Sequence, residues 1–401
     1  MASDSSKRSW PLLATAFLAA ALFSFQAPVY ETPDSASYLT PARSWASGEG
    51  LLQGNGTPLS YRTPPFPLAL GVTLWAFGDW QSHAPIGAMN LSLLILAALA
   101  IRRAIFVQAG RRAADLAAAV TVLYPPLLTS TAVVLQEVML ALLVSLVFWS
   151  VTRALTQQGV APAALAGLSL GLATLGKPTV LAAAPFLLLL FALTGGERAK
   201  RSAGFVIAAL LAVAPWAVRN RVLLGHFEIA PGNGGHTLLG GTVSNEIDAW
   251  DGFPEYQAAL NEWNSGASTD ASVDTYLARV AVRRILANPL RFAALCAERV
   301  GRFMLPARTW FVQAGLSRTG TFSPGYLVAI AINMALFALT AFVGVLAFRT
   351  RDGALAVGPI LVFAHMGAYA ITYVSPRYAL TVTPVLIACA TLAVRPFLRR
   401  P

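Results

Sequence analysis

Charge is scarce in this sequence: only 12% of its 401 residues are Asp, Glu, Lys or Arg. A soluble globular domain carries roughly 25%, so about half the polar surface such a domain needs is absent. That excludes an ordinary soluble enzyme, a disordered chain and a small secreted scaffold. Cysteine is nearly lacking as well. Cys296 and Cys389 stand far apart, so no disulfide framework, zinc spacing or redox pair is legible. Four scattered histidines give no His-based metal site. What is abundant is apolar: 56% of residues are hydrophobic and the mean hydropathy is +0.61. Gly (31) and Pro (25) accompany them, as where membrane helices are broken and joined. The sequence describes an all-α polytopic membrane protein.

Apolar runs near the roughly 20 residues that cross the ~30 Å hydrocarbon core fall at about 10–29, 84–101, 113–135, 138–152, 161–176, 179–194, 202–218, 325–348, 354–374 and 379–394. The run at 68–78 is too short to span and reads as interfacial or re-entrant. With the N-terminus inside, this gives about ten transmembrane helices with both ends cytoplasmic. The inner segments then hold 15 basic residues against four acids, and the outer side holds 14 of each. The net charge of +11 is therefore a positive-inside bias and not a nucleic-acid footprint. Counting 68–78 as a span would move Arg102, Arg103, Arg111 and Arg112 outside and break that pattern. Lys7-Arg8 before the first run also fits a signal peptide. The run is long and lacks a clean small-x-small cleavage site, so it reads as an uncleaved first helix.

Three parts follow: a transmembrane module over 1–218 with a first outer loop at 30–83, a long outer loop with helices over 219–324 between spans seven and eight, and terminal spans over 325–401. Juxtamembrane helices are expected in the first outer loop. The long loop carries the Gly-rich turn PGNGG at 231–235, the polar stretch NEWNSGASTDAS, and helical spacing from about Ser272 to Arg302, broken at Asn288-Pro289. No internal repeat is evident, which counts against inverted-repeat transporters.

Polar residues that could carry chemistry are few, and most sit beside prolines. TPDSASY opens the first loop: Thr32 suits an N-cap, Pro33 a first helical position and Asp34 a first turn. Asp34 and Tyr38, four apart, then share a face. The plain structural reading is an acid at a helix N-terminus with Tyr38 as an interfacial anchor. In YRTPPFP, Arg62 precedes prolines at 64, 65 and 67, which block a regular helix start and suit an extended entry. Gln136-Glu137 lies between two apolar runs, where an ionisable residue is a functional candidate by default, although loop polarity also explains it. GKP places Lys177 in a Gly-Pro break; a phosphate is a natural partner, and interfacial snorkelling the alternative. PWAVRN ends the seventh span with Arg219 and Asn220, and SPRY sets Arg377 and Tyr378 between the last two.

One or two carboxylates and several cations on one membrane face suit group transfer from a lipid phosphate. A phosphate leaves as a stable anion, so it needs cations and donors and no general acid. A carboxylate can accept the proton of the attacking hydroxyl. A transporter or lipid flippase would instead carry ionisable groups near span centres, where His365 is the main titratable residue. A noncatalytic assembly subunit gives the rigid Arg, Lys and Asp positions no reason to converge.

Taken together, PDSxxY, RTPPFP, QE, GKP, PWAVRN with the downstream NGG, and RYALTVTP resemble the GT-C glycosyltransferase superfamily over most of the chain. The likeness is to the bacterial branch containing protein O-mannosyltransferases, lipid A aminoarabinose transferases and galacturonosyltransferases. The resemblance implies Asp34 as catalytic base and Glu137 as a second acid. It implies Lys177 and Arg377 on the donor phosphate, with Arg62 and Arg219 as further cations and Tyr38, Gln136, Asn220 and Tyr378 in support. It also implies a polyprenyl-phosphate sugar donor, inversion at the anomeric carbon, and an active site on the periplasmic face of a bacterial inner membrane. The acceptor, whether lipid, glycan or protein, stays open, because the sequence departs from larger members in having no appended C-terminal outer domain. A divalent metal ion stays open too; Asp34 and Glu137 would be its ligands.

Overall fold

The computed structural model describes residues 10–79, 82–225, 227, 233–245, 252–266, 272–306 and 324–395. Lys7-Arg8, Arg399-Arg400, Pro231-Gly232 and the middle of NEWNSGASTDAS lie outside them. Among the described residues the chain is helical, and the only strand-like features are two isolated bridges. Seventeen α-helices follow in order: α1 (Trp10–Gln26), α2 (Ala36–Ala46), α3 (Pro65–Phe77), α4 (Ala84–Ala109), α5 (Arg111–Leu123), α6 (Pro125–Ser130), α7 (Glu137–Gln157), α8 (Val160–Gly176), α9 (Ala184–Leu193), α10 (Arg198–Leu224), α11 (Gly234–Val243), α12 (Pro254–Asn264), α13 (Val273–Ala287), α14 (Pro289–Met304), α15 (Pro324–Thr350), α16 (Gly353–Ile371) and α17 (Thr383–Ala393). Short 3-10 turns, Pro178–Ala183 and Pro376–Thr381, lead into α9 and α17.

Five of these helices, α4, α7, α10, α15 and α16, are long and apolar enough to cross a membrane. The apolar helices α1, α3, α8 and α17 are shorter, as is the helical stretch Pro178–Leu193. The run expected at 113–135 is not one helix. Pro125 and Pro126 stop α5, and Tyr124, forced out of the helical region by the following proline, is extended (φ −63°, ψ 115°). Its hydroxyl donates to Asn333 of α15 at 2.6 Å. The prolines of RTPPFP also act differently from expectation. Pro64 caps α3 and Pro65 begins it, positions where the missing N–H costs nothing. At 13 residues α3 reaches only about 20 Å, with Val72, Trp75 and Phe77 exposed.

Lipid tails are as apolar as leucine, so close packing holds such helices together. Gly167 and Gly171 line the face of α8 that meets α10. A Cβ at Gly167 would lie 1.9 Å from the Phe205 carbonyl oxygen, and one at Gly171 would lie 2.6 Å from that of Ala209. Only glycine admits this approach. Between α4, α5, α7, α8 and α16, small and branched residues such as Ala104, Val144, Ala166 and Val357 fill the core.

One irregular stretch fixes the first outer loop against α7. Tyr30 N–H donates to the Ala132 carbonyl (2.8 Å), and Val134 N–H returns to the Tyr30 carbonyl (3.0 Å). The buried Asn90 amide of α4 donates to the carbonyls of Thr131 and Val133. Ser35 Oγ donates to the Val134 carbonyl at 2.9 Å. Residues 30–35 are thereby held beside the start of α7.

Candidate active site at one end of the helix bundle

Asp34 lies in the turn that precedes α2, not in its first turn. The helix begins at Ala36 and Ser35 is its N-terminal flank, while the Thr32 N–H is taken by Ser35 Oγ (2.8 Å). The Asp34 carboxylate therefore projects from a braced turn. Its Oδ1 accepts from Arg62 at 2.8 Å and its Oδ2 from Arg377 at 2.5 Å. Arg377 also lies 3.4 Å from the Glu137 carboxylate, so one guanidinium spans two acids from distant parts of the chain. Glu137, 4% exposed, is the first residue of α7, where the helix dipole favours a negative charge. Its Oε2 has no hydrogen-bond partner among the described residues.

The cations stand at proline corners, because proline forces the preceding residue into extended backbone. Lys177 (φ −153°, ψ 116°) ends α8 ahead of Pro178, and Ser375 (φ −102°, ψ 137°) precedes Pro376 and Arg377. Thr63 Oγ1 donates to the Gly176 carbonyl at 2.8 Å, tying the Arg62 segment to the Lys177 corner. Arg62 donates through Nε to Ser37 Oγ (2.8 Å) and lies 4.5 Å from the ring centre of the buried Tyr38. Tyr38 packs edge-on against Phe66. Asp34 and Tyr38 thus both face Arg62.

The Lys177 ammonium lies 4.5 Å from the Tyr378 ring centre and 5.5 Å from that of Tyr369. Tyr378 stacks on Tyr369 at 4.6 Å and donates to the Tyr373 hydroxyl at 2.9 Å. Behind them His365, 2% exposed, meets Tyr369 edge-on and Thr179 at 3.3 Å, a packed imidazole rather than a path through the membrane. Tyr369, Tyr373 and Ser37 went unnoticed in the sequence. The repeated tyrosines of YAITYVSPRY are the signal that could have revealed the first two.

Burial opposes charge on Asp34, but the hydrogen bond and charge of Arg377, and then the charge of Arg62, outweigh it and hold its carboxyl below the usual carboxylate range. Burial also lowers Lys177, to about 8, against the pull of the Glu137 charge. Arg377 is raised despite burial, first by Glu137 and then by Tyr378 and Asp34.

Arg219 hydrogen-bonds to the first outer loop and to Asn220. The Arg219 guanidinium donates to the Leu59 carbonyl (2.6 Å) and to Asn220 Oδ1 (2.8 Å), over the Trp216 ring. Through these bonds it clamps the first outer loop. Gln136 is buried ahead of α7, and its carbonyl accepts from Leu140. Among the described residues no group of three or more His, Cys, Asp or Glu converges. Arg377 bridges the two carboxylates, and Glu137 Oε2 stays without a partner among the described residues.

The fold resembles that of a solved archaeal oligosaccharyltransferase. No protein-family model and no curated protein sequence matches the chain. Among solved structures it is similar to the oligosaccharyltransferase of Archaeoglobus fulgidus tethered to an acceptor peptide: TM-score 0.55 and 15% identity, over 97% of this chain and 49% of that one. The same enzyme in complex with Zn and sulfate gives a TM-score of 0.53 at 14% identity, over 96% and 48%. ArnT from Cupriavidus metallidurans bound to undecaprenyl phosphate gives 0.46 at 14% identity, over 96% and 76%. This chain spans about half the length of the oligosaccharyltransferase. At these identities the likeness establishes the fold alone.

Proposed function

We propose that the protein is an inverting glycosyltransferase that moves a sugar from a polyprenyl-phosphate donor to an acceptor hydroxyl on the periplasmic face of a bacterial inner membrane. The observation that carries this reading is the Asp34 carboxylate held between Arg62 and Arg377, with Lys177 at the neighbouring corner. In the resting site both guanidiniums rest on Asp34. A donor phosphate competes for them, which frees the carboxylate and raises its basicity.

The acceptor oxygen then attacks the anomeric carbon as its proton passes to Asp34. The bond from the anomeric carbon to the phosphate oxygen breaks, and its electron pair leaves with the polyprenyl phosphate. Charge on the phosphate grows from one to two as this happens. Arg377, Arg62 and Lys177 stabilise that growing charge more than the ground state, which is what accelerates a reaction. Glu137 orients Arg377. The oligosaccharyltransferase likeness supports the scaffold for such chemistry.

The test is turnover by purified protein with a panel of polyprenyl-phosphate sugars and envelope-derived acceptors. Acceptor-dependent release of polyprenyl phosphate with an inverted glycosidic product is expected. Turnover with nucleotide sugars in place of every lipid-linked donor would overturn the proposal.

A further inference from the structure

The opposite end of the bundle carries a second basic cavity that the proposed reaction does not use. It lies between the C-terminal ends of α4 and α7, has a volume of about 540 Å³, and is lined by Arg102, Arg103, Trp149, Thr152 and Arg153 among others. Glu137 and Arg153 are separated by sixteen residues of one helix, about 24 Å, so this cavity is distinct from the Asp34 site.

Its charges are only partly matched. Arg102 donates to the buried Asp115 at 2.6 Å. Arg103 and Arg153 have no ion pair with an acid among the described residues. Each guanidinium lies 5.8 Å from the ring centre of Trp149, and Arg153 donates through Nε to the Gln157 side chain at 2.8 Å, leaving its terminal nitrogens free to donate elsewhere. The second observation is Thr152. Thr152 lines the cavity, is 1% exposed, and its buried hydroxyl has no hydrogen-bond partner among the described residues. A buried hydroxyl without a partner is costly, and here it stands beside unmatched cations.

We propose that this cavity binds the phosphate of an anionic glycerophospholipid in the leaflet opposite the Asp34 site. Arg103 and Arg153 hold the phosphate through charge-assisted hydrogen bonds, and the Thr152 hydroxyl donates to one of its oxygens. One feature favours a lipid over a free phosphate ester. Phe106, also in the lining, is 52% exposed and the adjoining Val107 57%, which gives acyl chains an apolar face directly beside the cations. Two unmatched positive charges also repel the choline of a zwitterionic headgroup and select a net-negative one.

Native mass spectrometry of the full chain, loaded with equal phosphatidylglycerol and phosphatidylcholine, tests this. Wild type is expected to retain phosphatidylglycerol in about tenfold preference, the order of one or two charge-assisted hydrogen bonds. The double variant Arg103→Gln/Arg153→Gln should bring the two lipids to parity, with phosphatidylcholine retention as the check on folding. Thr152→Val, nearly isosteric, should lower the preference severalfold. Arg349→Gln, an exposed basic residue elsewhere, should leave it unchanged. Parity in wild type, an undiminished preference in the double variant, or displacement of the lipid by equimolar glycerol phosphate would each overturn the proposal.

Discussion

At the scale of single residues, the site is a set of cations whose partners can be exchanged. Lys177 is the sharpest case: its ammonium faces two tyrosine rings, and burial lowers it to about 8. A phosphate would hold it protonated, so above pH 8 binding requires proton uptake. Polyprenyl-phosphate affinity should be flat below pH 8 and fall above it, at most on the order of tenfold per pH unit. Lys177→Arg, charged throughout, should abolish the slope. The check is equilibrium binding from pH 6.5 to 9.5, and an equal slope in both proteins would remove Lys177 from the phosphate. Arg377→Gln takes a guanidinium from both Asp34 and Glu137, leaving Glu137 a buried charge without its cation. Donor affinity should fall by about tenfold or more, with Arg377→Lys recovering only part because it loses the fork.

Elements determine how these residues meet, and here the sequence was legible unevenly. Helix existence was readable because long apolar runs have little else to become. The short helix over 68–78 is legible by its apolar composition, and its bounds widen to Pro65–Phe77. The break at Tyr124 was not, since apolar composition continues across Pro125-Pro126 and hides the corner. Local capping preferences put Asp34 one turn too far into α2, because they do not register the cross-chain bonds of Ser35 and Tyr30 to residues 132–134. Convergence of Arg62, Lys177 and Arg377 could be guessed only from their shared proline corners. The contact between Asp34 and Arg377 spans 343 residues of chain and leaves no local trace. Close helix approach yields a further prediction. Gly167→Leu puts a side chain where the Phe205 carbonyl stands, and should destabilise the protein by about 1–3 kcal/mol or more, read as a lower unfolding midpoint in detergent. An unchanged midpoint would mean that α8 and α10 are not packed as described.

Across the whole molecule the two ends differ in chemistry. One gathers acids and cations around Asp34. The other carries Arg102, Arg103 and Arg153, with the buried Arg201 donating to the Thr194 and Ala154 carbonyls. Under the proposed topology, which follows the positive-inside tendency, the second end faces the cytoplasm. In a Cys296→Ser/Cys389→Ala background, Thr57→Cys should react with an impermeant maleimide on intact cells, and Gln157→Cys only after permeabilisation. The reverse pattern would invert the proposed topology.

The central claim is that Asp34 accepts the proton of the attacking hydroxyl while the cations beside it hold the donor phosphate. It is tested most directly by comparing purified Asp34→Asn with wild type for donor binding and for sugar transfer. Donor affinity should be retained or improved, since Arg62 and Arg377 lose a competing carboxylate. Transfer should fall by roughly 100-fold or more, the range of a lost general base. Transfer at the wild-type rate by a correctly folded Asp34→Asn protein would contradict it.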